Sequence, residues 1–379
     1  MNPMVELPNQ RTLQHFLLHK QHLAADTTSK KKKVVNIVKD ICALHAQVPT
    51  SPYISLWNRM NNFQIKDLED SLYQQRSLVK IWCMRGTLHI IPTENLSEYY
   101  QSTKKIGAKK HFHFNQYHQK IVDVLSKNES LTVKEIRSQI IQQKKNEPGQ
   151  NLIKDNPGII REMCHKALLV PTKPKGQWKS NLHTYNLLKQ WLPTVKLDMV
   201  DELEAKKKII MRYISVFGPV QLEDISWWLG SPKREVQDIL PLIRDKIEVV
   251  RLSQMKGIFF IDRSDLDCLR EFSNDRPSIH LLPRFDPYIM GYKNRERLIP
   301  KHHEKKVYWS TRAEVSASIL VNGRIIGTWS SKDDKDKHRF TLSFFDKVDK
   351  KLIDTILANA EKLVGFISEK HPVISINKS

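Results

Sequence analysis

The stretch KKKIIMRYISVFGPVQLEDISWWLGSPKREVQDILPLIRDKIEVVRLSQMKGIFFI, residues 206–261, decides how this chain is read. Ile209, Ile210, Tyr213, Ile214 and Phe217 recur at helical spacing, and the pattern stops at Gly218 and Pro219. A short second helix ends on Gly230, which can take the left-handed C-cap conformation. Ser231 is a suitable N-cap and Pro232 suits a first helical position, so Lys233 and Arg234 fall in the first turn of a basic third helix. From Ile247 the apolar residues alternate, turn near Lys256 and Gly257, and alternate again as a hairpin. Helix, helix, turn, helix and hairpin is the order of a winged helix-turn-helix with a basic third helix and a basic wing.

The same plan recurs twice upstream. QKIVDVLSKNESL leads into TVKEIRSQI, where Thr132 and Glu135 form a capping-box pair. PGIIREMCHKALLV supplies a third helix running into a strand, and PTKPKGQWKSNLHTY is a wing whose tip carries Lys173, Lys175 and Lys179. A looser copy opens the chain, with a helix from about Val34 to Leu44, another over IKDLEDSLYQQ, and strands VKIWCM and TLHII joined near Arg85 and Gly86. After about Ser273 the pattern becomes strand-like, Asn322 and Gly323 mark a two-residue hairpin turn, and KLIDTILANAEKLVGFISEK is an amphipathic closing helix. The expected fold is α+β: three tandem winged-helix modules (1–115, 116–195 and 196–272) packed on a small β-barrel with a closing helix (273–379).

Charge indicates the partner. Among 379 residues, 62 Lys plus Arg stand against 41 Asp plus Glu, a net charge of +21 that attracts polyanions, chiefly nucleic acid. Glycine is scarce, at 12 residues, and neither G-x-G-x-x-G nor G-x-x-x-x-G-K-[ST] occurs, which removes most nucleotide-cofactor enzymes. No apolar run reaches the length of a membrane span, and the polar N-terminus lacks the apolar core of a signal peptide, so a cytoplasmic protein without membrane contact is expected. Cys42, Cys83, Cys164 and Cys268 fit neither a zinc site nor a disulfide framework and read as buried free thiols. No metal is expected: His111, His113 and His118 lack an i,i+4 pair and lie among aromatics, and His302 and His303 sit in a lysine-rich loop that meets solvent or phosphate.

Residues 44–60, LHAQVPTSPYISLWNRM, carry the chemistry-bearing pattern. Pro49 and Pro52 interrupt the first apolar helix and push Val48 and Ser51 out of helical geometry. His45 and Gln47 would share no helix face, but in an extended chain they would point the same way. The spacing also fits a plain alternative, in which both satisfy a helix C-terminus.

These residues, with KIWCMRGTLHIIP (80–92), LLPRFDPYIMGYKNR and VNGRIIGTWS, resemble the winged-helix DNA-binding family that contains the AlkZ-like DNA glycosylases. The resemblance implies three tandem winged helices on a β-barrel. It also implies a monofunctional enzyme, without cofactor, that excises bulky N-alkylated purines (N7-alkylguanine type) from double-stranded DNA, some members unhooking interstrand crosslinks. Its catalytic glutamine, apolar, glutamine motif falls on His45, Ala46 and Gln47, so Gln47 matches and His45 departs. In this reading Gln47 orients a water and a neutral His45, with an ordinary pKa of about 6.5, accepts its proton. Arg59, Lys80 and Arg85 would bind phosphate, as would the wing and third-helix cations Lys173, Lys175, Lys179, Lys233, Arg234 and Lys256. Thr87 and His89 would line the site, and Trp57 and Trp82 would contact the lesion. Asp286 and Tyr288 match family positions or form a structural Asp-Pro turn. A winged-helix transcription regulator or a non-catalytic DNA binder would carry the same modules. A monomer is expected.

Overall fold

Residues 202–262 fold in the expected element order. In the computed structural model, which describes residues 5–6, 10–24, 33–106, 116–142, 158–252, 255–272, 276–309 and 314–377, the helix Glu202–Phe217 is capped by the Asp201 carboxylate. A capping box of Gln221 and Asp224 opens the helix Leu222–Leu229, and Gly230 closes it at φ 85°. The third helix, Lys233–Ile239, has Pro232 rather than Ser231 at its N-cap. Ser231 belongs to the preceding turn instead, its N–H donating to the Ser226 carbonyl at 3.2 Å. The hairpin pairs Ile247–Leu252 with Met255–Asp262, Leu252 facing Met255. Lys256 and Gly257 therefore lie within the second strand rather than at the turn where the sequence placed them. Gly257, at φ 111°, sits where the strand register shifts, so its conformational freedom serves a bulge rather than the turn.

The two upstream segments also combine helices with a three-stranded sheet, one strand of each sheet lying between helices in the chain. Residues 116–187 contribute the helices Gln116–Ser126, Val133–Gln142 and Ile159–His165. The capping box of Thr132 and Glu135 forms as expected. In the first segment the apolar helix is shorter than the sequence suggested, Val34–Asp40, because Cys42 turns left-handed at φ 68° seven residues before Pro49. Ser51 is not driven out of helical geometry; it opens the helix Ser51–Trp57. The sheet here runs in the order Leu44–His45, Leu88–Pro92, Leu78–Trp82. Each segment has an apolar core of its own, around Ile37, Leu56 and Leu72 in the first and Ile121, Ile136 and Met163 in the second. The helix Gln10–Lys20 does not join the first core; its Leu13, Phe16 and Leu17 pack with Ile209 and Tyr213.

The C-terminal sheet corrects the expectation of a barrel. Its five strands run in the order Ile279–Leu282, Ser318–Val321, Arg324–Asp334, Lys337–Phe344, His371–Asn377, and among the described residues the two edges do not pair. Asn322 and Gly323, both with positive φ, form the expected turn between Val321 and Arg324. The last two strands are parallel, and the helix Lys350–Ile367 connects them. That helix lays Ile356, Ala360 and Leu363 in one cluster with Trp329, Phe340 and Leu342. A helix covering the sheet buries the apolar face that closure would otherwise bury. No helix among the described residues is long and apolar enough to cross a membrane. Cys42, Cys83 and Cys164 are buried thiols as expected, but Cys268 is exposed on the helix Arg263–Glu271.

One buried ion pair ties these parts together. Arg59, fully buried, makes a bidentate contact with the fully buried Asp286, both bonds at 2.8 Å. Its remaining donors reach the carbonyls of Gln21 and Ser55, both at 3.0 Å. Asp286 also accepts from Ser55 Oγ at 2.7 Å and caps the turn Pro287–Met290 through the Tyr288 N–H. Arg59 is thus a structural arginine rather than a phosphate ligand, and Asp286 forms the structural Asp-Pro turn. Removing one partner strands the other charge in the core, a change that typically costs about 3–5 kcal/mol. Arg59→Met or Asp286→Asn should each lose stability of that order in denaturant unfolding, and the double variant should lose less than the sum.

Candidate active site

The site residues are placed by the sheet of the first segment. His45 ends the strand Leu44–His45 and faces His89 across the pairing, with ring centroids 4.6 Å apart. On its other side the ring stacks on Phe285 at 5.0 Å and 15°. Phe285 and Arg85 are both non-glycine residues in the left-handed region, at φ 59° and 56°, a strained conformation that surrounding structure must hold in place. The Thr87 hydroxyl donates to the Met84 carbonyl at 2.9 Å and lies 3.4 Å from His45 Nε2. His89 Nδ1 donates to the Thr87 carbonyl at 3.0 Å. After His45 the chain leaves the strand: Ala46 is buried with its N–H on the Leu88 carbonyl, and Gln47 is exposed.

Burial decides what the two motif residues can do. His45 is 5% exposed. Desolvation holds its pKa well below the ordinary value, and neighbouring His89 and Arg85 push the same way. His89 falls to about 3, chiefly by burial and then by Arg85. The expectation that His45 accepts a proton with a pKa near 6.5 is therefore corrected: it stays neutral through the physiological range. A cavity of about 20 Å³ lined by His45, Arg85, His89 and Phe285 is too small to admit anything larger than water. Of the three motif residues, Gln47 is the one open to solvent. Immediately after Gln47, a cleft of about 660 Å³ begins at Val48. Its walls come from the first segment, the hairpin loop of the second, and the C-terminal sheet.

The family model described as DNA glycosylase AlkZ-like matches residues 38–366. The chain belongs to the AlkZ-like DNA glycosylase family. These are enzymes that hydrolyse N-glycosidic bonds. An interstrand DNA cross-link repair glycosylase of Streptomyces sahachiroi is 20% identical over 321 residues, covering 79% of this chain and 82% of the relative. The solved structure of Streptomyces sahachiroi DNA glycosylase AlkZ superposes with a TM-score of 0.78 at 17% identity, over 98% of this chain and 100% of that one. At that identity the superposition establishes a shared fold.

In this AlkZ-like glycosylase the expected DNA-contacting residues divide by burial. Lys173, Lys175, Lys233, Arg234 and Lys256 are exposed. Several face carboxylates: Lys173 lies 3.4 Å from Glu69, Lys175 pairs with Glu135, and Lys233 lies 2.5 Å from Glu223. Lys179 is half-buried over the Trp178 ring at 5.6 Å. Lys80 is corrected: it lies on the opposite sheet face from His45, its Nζ donating to the Tyr73 hydroxyl at 2.7 Å, and burial pushes its pKa down to about 8. His89 is likewise buried rather than surface-lining. Trp57 packs against Phe366 and Trp82 against His165, each within apolar clusters, so both are packing residues rather than open lesion contacts. His303 is buried and 3.0 Å from Asp346, whereas His302 is exposed. His118 is buried on its helix, and His111 and His113 lie outside the described residues. No group of three His, Cys, Asp or Glu among the described residues could hold a metal ion.

Sequence reading missed a stacked group beside the motif. Arg85 lies 4.1 Å from the Trp227 ring centroid, and Arg295 lies 4.9 Å from the same ring and 3.9 Å from that of Tyr308. Burial, then Arg295, lowers the Arg85 pKa to about 10. These residues are far apart in the chain, and only their aromatic and arginine character gave any signal. Gly230 fits this junction closely: a Cβ there would meet the Arg85 backbone at 3.0 Å.

The depressed histidines set a pH dependence for stability. His45 and His89 titrate lower in the folded state than the ordinary 6.5, so the unfolded chain binds more protons in acid. Stability is full above that value and is lost as pH falls below it toward 3, by up to ~1.4 kcal/mol per pH unit for each histidine. Denaturant unfolding at neutral pH and in mild acid should show this loss, and His45→Gln should shallow the slope.

Proposed function

We propose that this chain is a monofunctional glycosylase that removes bulky N-alkylated purines of the N7-alkylguanine type from double-stranded DNA, with Gln47 holding the attacking water. The observation that carries the reading is the division at the motif: His45 is buried and neutral, while Gln47 is exposed and its chain neighbour Val48 lines a substrate-sized cleft. In the reaction the C1′–N9 bond breaks with its electron pair moving to the base. An N7-alkylated guanine, already cationic, departs neutral. Water adds to the oxocarbenium-like carbon and its proton passes to solvent. A water adding to so strong an electrophile needs positioning more than deprotonation. The Gln47 carboxamide oxygen can accept its hydrogen bond, and His45, stacked between His89 and Phe285, keeps the preceding backbone rigid.

The three helix-and-hairpin segments act as winged helices in this reading, bounded near 115, 195 and 272, with the sheet-and-helix segment behind them. The exposed cations Lys173, Lys175, Lys233, Arg234 and Lys256 meet phosphates, and DNA competes for those now facing carboxylates. The protein works as a cytoplasmic monomer. Its lesion need not be flipped out, because a bulky or crosslinked adduct resists extrusion. The Streptomyces relative is named an interstrand DNA cross-link repair glycosylase, and in this reading the same bond cleavage releases one of two purines joined across the strands.

Gln47→Ala should slow single-turnover release of N7-methylguanine from a defined duplex by ~10²–10⁴, with duplex affinity nearly unchanged. His45→Gln should retain excision. Because His45 is neutral throughout, the wild-type rate should show no limb near pH 6.5 from this residue; a limb that disappears in His45→Gln would restore the general-base role. Equal excision by Gln47→Ala and wild type would remove the catalytic assignment. Binding to unmodified duplex should weaken with salt, each phosphate contact adding about 0.9 to the log–log slope, and titrations with Lys233→Ala and Arg234→Ala should read a shallower slope.

A further inference from the structure

We propose that the cleft beginning at Val48 is the subsite for the substituent of the alkylated purine, and that it takes a planar group able to hydrogen-bond. The inference rests on the reading of Gln47 given above and assigns the specificity element next to it. At about 660 Å³ the cleft is the size of small-molecule sites in general. Two buried polar atoms on its lining residues have no partner among the described residues: Ser51 Oγ, on a residue 2% exposed, and His338 Nε2, on a residue 4% exposed. Leaving such a group unsatisfied typically costs about 1–3 kcal/mol, which a ligand atom can recover. His338 Nδ1 donates to Asp333 at 2.6 Å, so on the neutral ring Nε2 is an acceptor aligned by that bond.

The rest of the lining combines charged side chains with a flat ring. Arg284 faces Glu314 at 2.6 Å, and Asp333 is held by His338 and lies 3.5 Å from Lys370. Lys179 and Lys332 line the cleft as well. Trp309, 42% exposed, offers an open ring face for stacking at the rim. The cleft lies directly after Gln47 in the chain, so a group projecting from the purine reaches it without the base itself entering.

The test is binding without turnover. A duplex carrying one N7-(4-hydroxybenzyl)guanine is compared with the same duplex carrying N7-methylguanine, both on 2′-fluoroarabinose, which resists cleavage. The two share the purine's positive charge and differ only in the substituent. The full chain should bind the hydroxybenzyl duplex about tenfold more tightly. Trp309→Ala, which removes an exposed ring, and Ser316→Trp, which fills the cleft, should each bring that ratio within about twofold. Thermal unfolding checks that each variant is folded, and Trp309→Ala carries the test should the larger side chain disturb the fold. No preference in the wild type, or a preference kept by folded variants, overturns the inference. So does an equal loss for both duplexes, which would make the cleft a pocket for the base. Because no bond is cut, failure of Gln47 as the catalytic residue appears only in the excision assay and leaves this result separate.

Discussion

The rest of the structure depends on the buried contact between Arg59 and Asp286. Apolar packing is tolerant of small shifts, whereas a bidentate guanidinium–carboxylate pair fixes distance and angle together. Arg59 follows the helix Ser51–Trp57, and Asp286 opens the Pro287–Met290 turn. Their bond therefore sets that helix, which carries Ser51 and Ile54 into the cleft, against the segment that carries Arg284 and Phe285. Gln21 adds the N-terminal segment to the same knot. With every Arg59 donor nitrogen and both Asp286 oxygens engaged, the desolvation cost of the charges is offset by hydrogen bonds rather than left open.

Around this knot, the motif is divided by depth. His45 is enclosed by His89 and by Phe285, whose backbone is strained, and remains neutral because a charged imidazole would be poorly solvated there. Two residues on, Gln47 emerges. Arg85 and Phe285, two of the nine left-handed non-glycine residues among those described, flank the histidine pocket, and such strain persists only where neighbours over-determine it. Gly230 packs on the Arg85 turn and Arg295 stacks with Trp227 and Tyr308 behind it, so residues from three segments hold one strained turn. A neutral, rigid histidine behind an exposed carboxamide suits a reaction whose leaving group already carries positive charge.

Part of the positive surface behind the +21 net charge is paired with carboxylates. Lys173, Lys175 and Lys233 each face a carboxylate from another element, which lowers the local field without removing the donors. Exposed pairs of this kind contribute little to stability, so phosphate can displace the carboxylate at small cost. The family to which the chain belongs acts on DNA, and a reserve of exchangeable surface cations is compatible with weak, sequence-independent contact to the duplex.

Local order was legible in the sequence because it depends on neighbours in the chain. Helical spacing at Ile209 to Phe217, the Gly230 cap, the Thr132 and Glu135 box and the Asn322 and Gly323 turn all require only residues a few positions apart. Burial was not legible, since exposure depends on which distant segment covers a side chain. Asp286 lies 227 positions from Arg59 and turned an apparent phosphate ligand into a core residue. Phe285 and Arg85 turned an ordinary histidine into one that does not titrate near neutrality, and the Lys350–Ile367 helix covered a sheet expected to close on itself. The sequence by itself determined the elements, the charge and the motif; the tertiary structure alone decided which charges are solvated, because dielectric environment is a property of contacts between segments that the chain order does not contain.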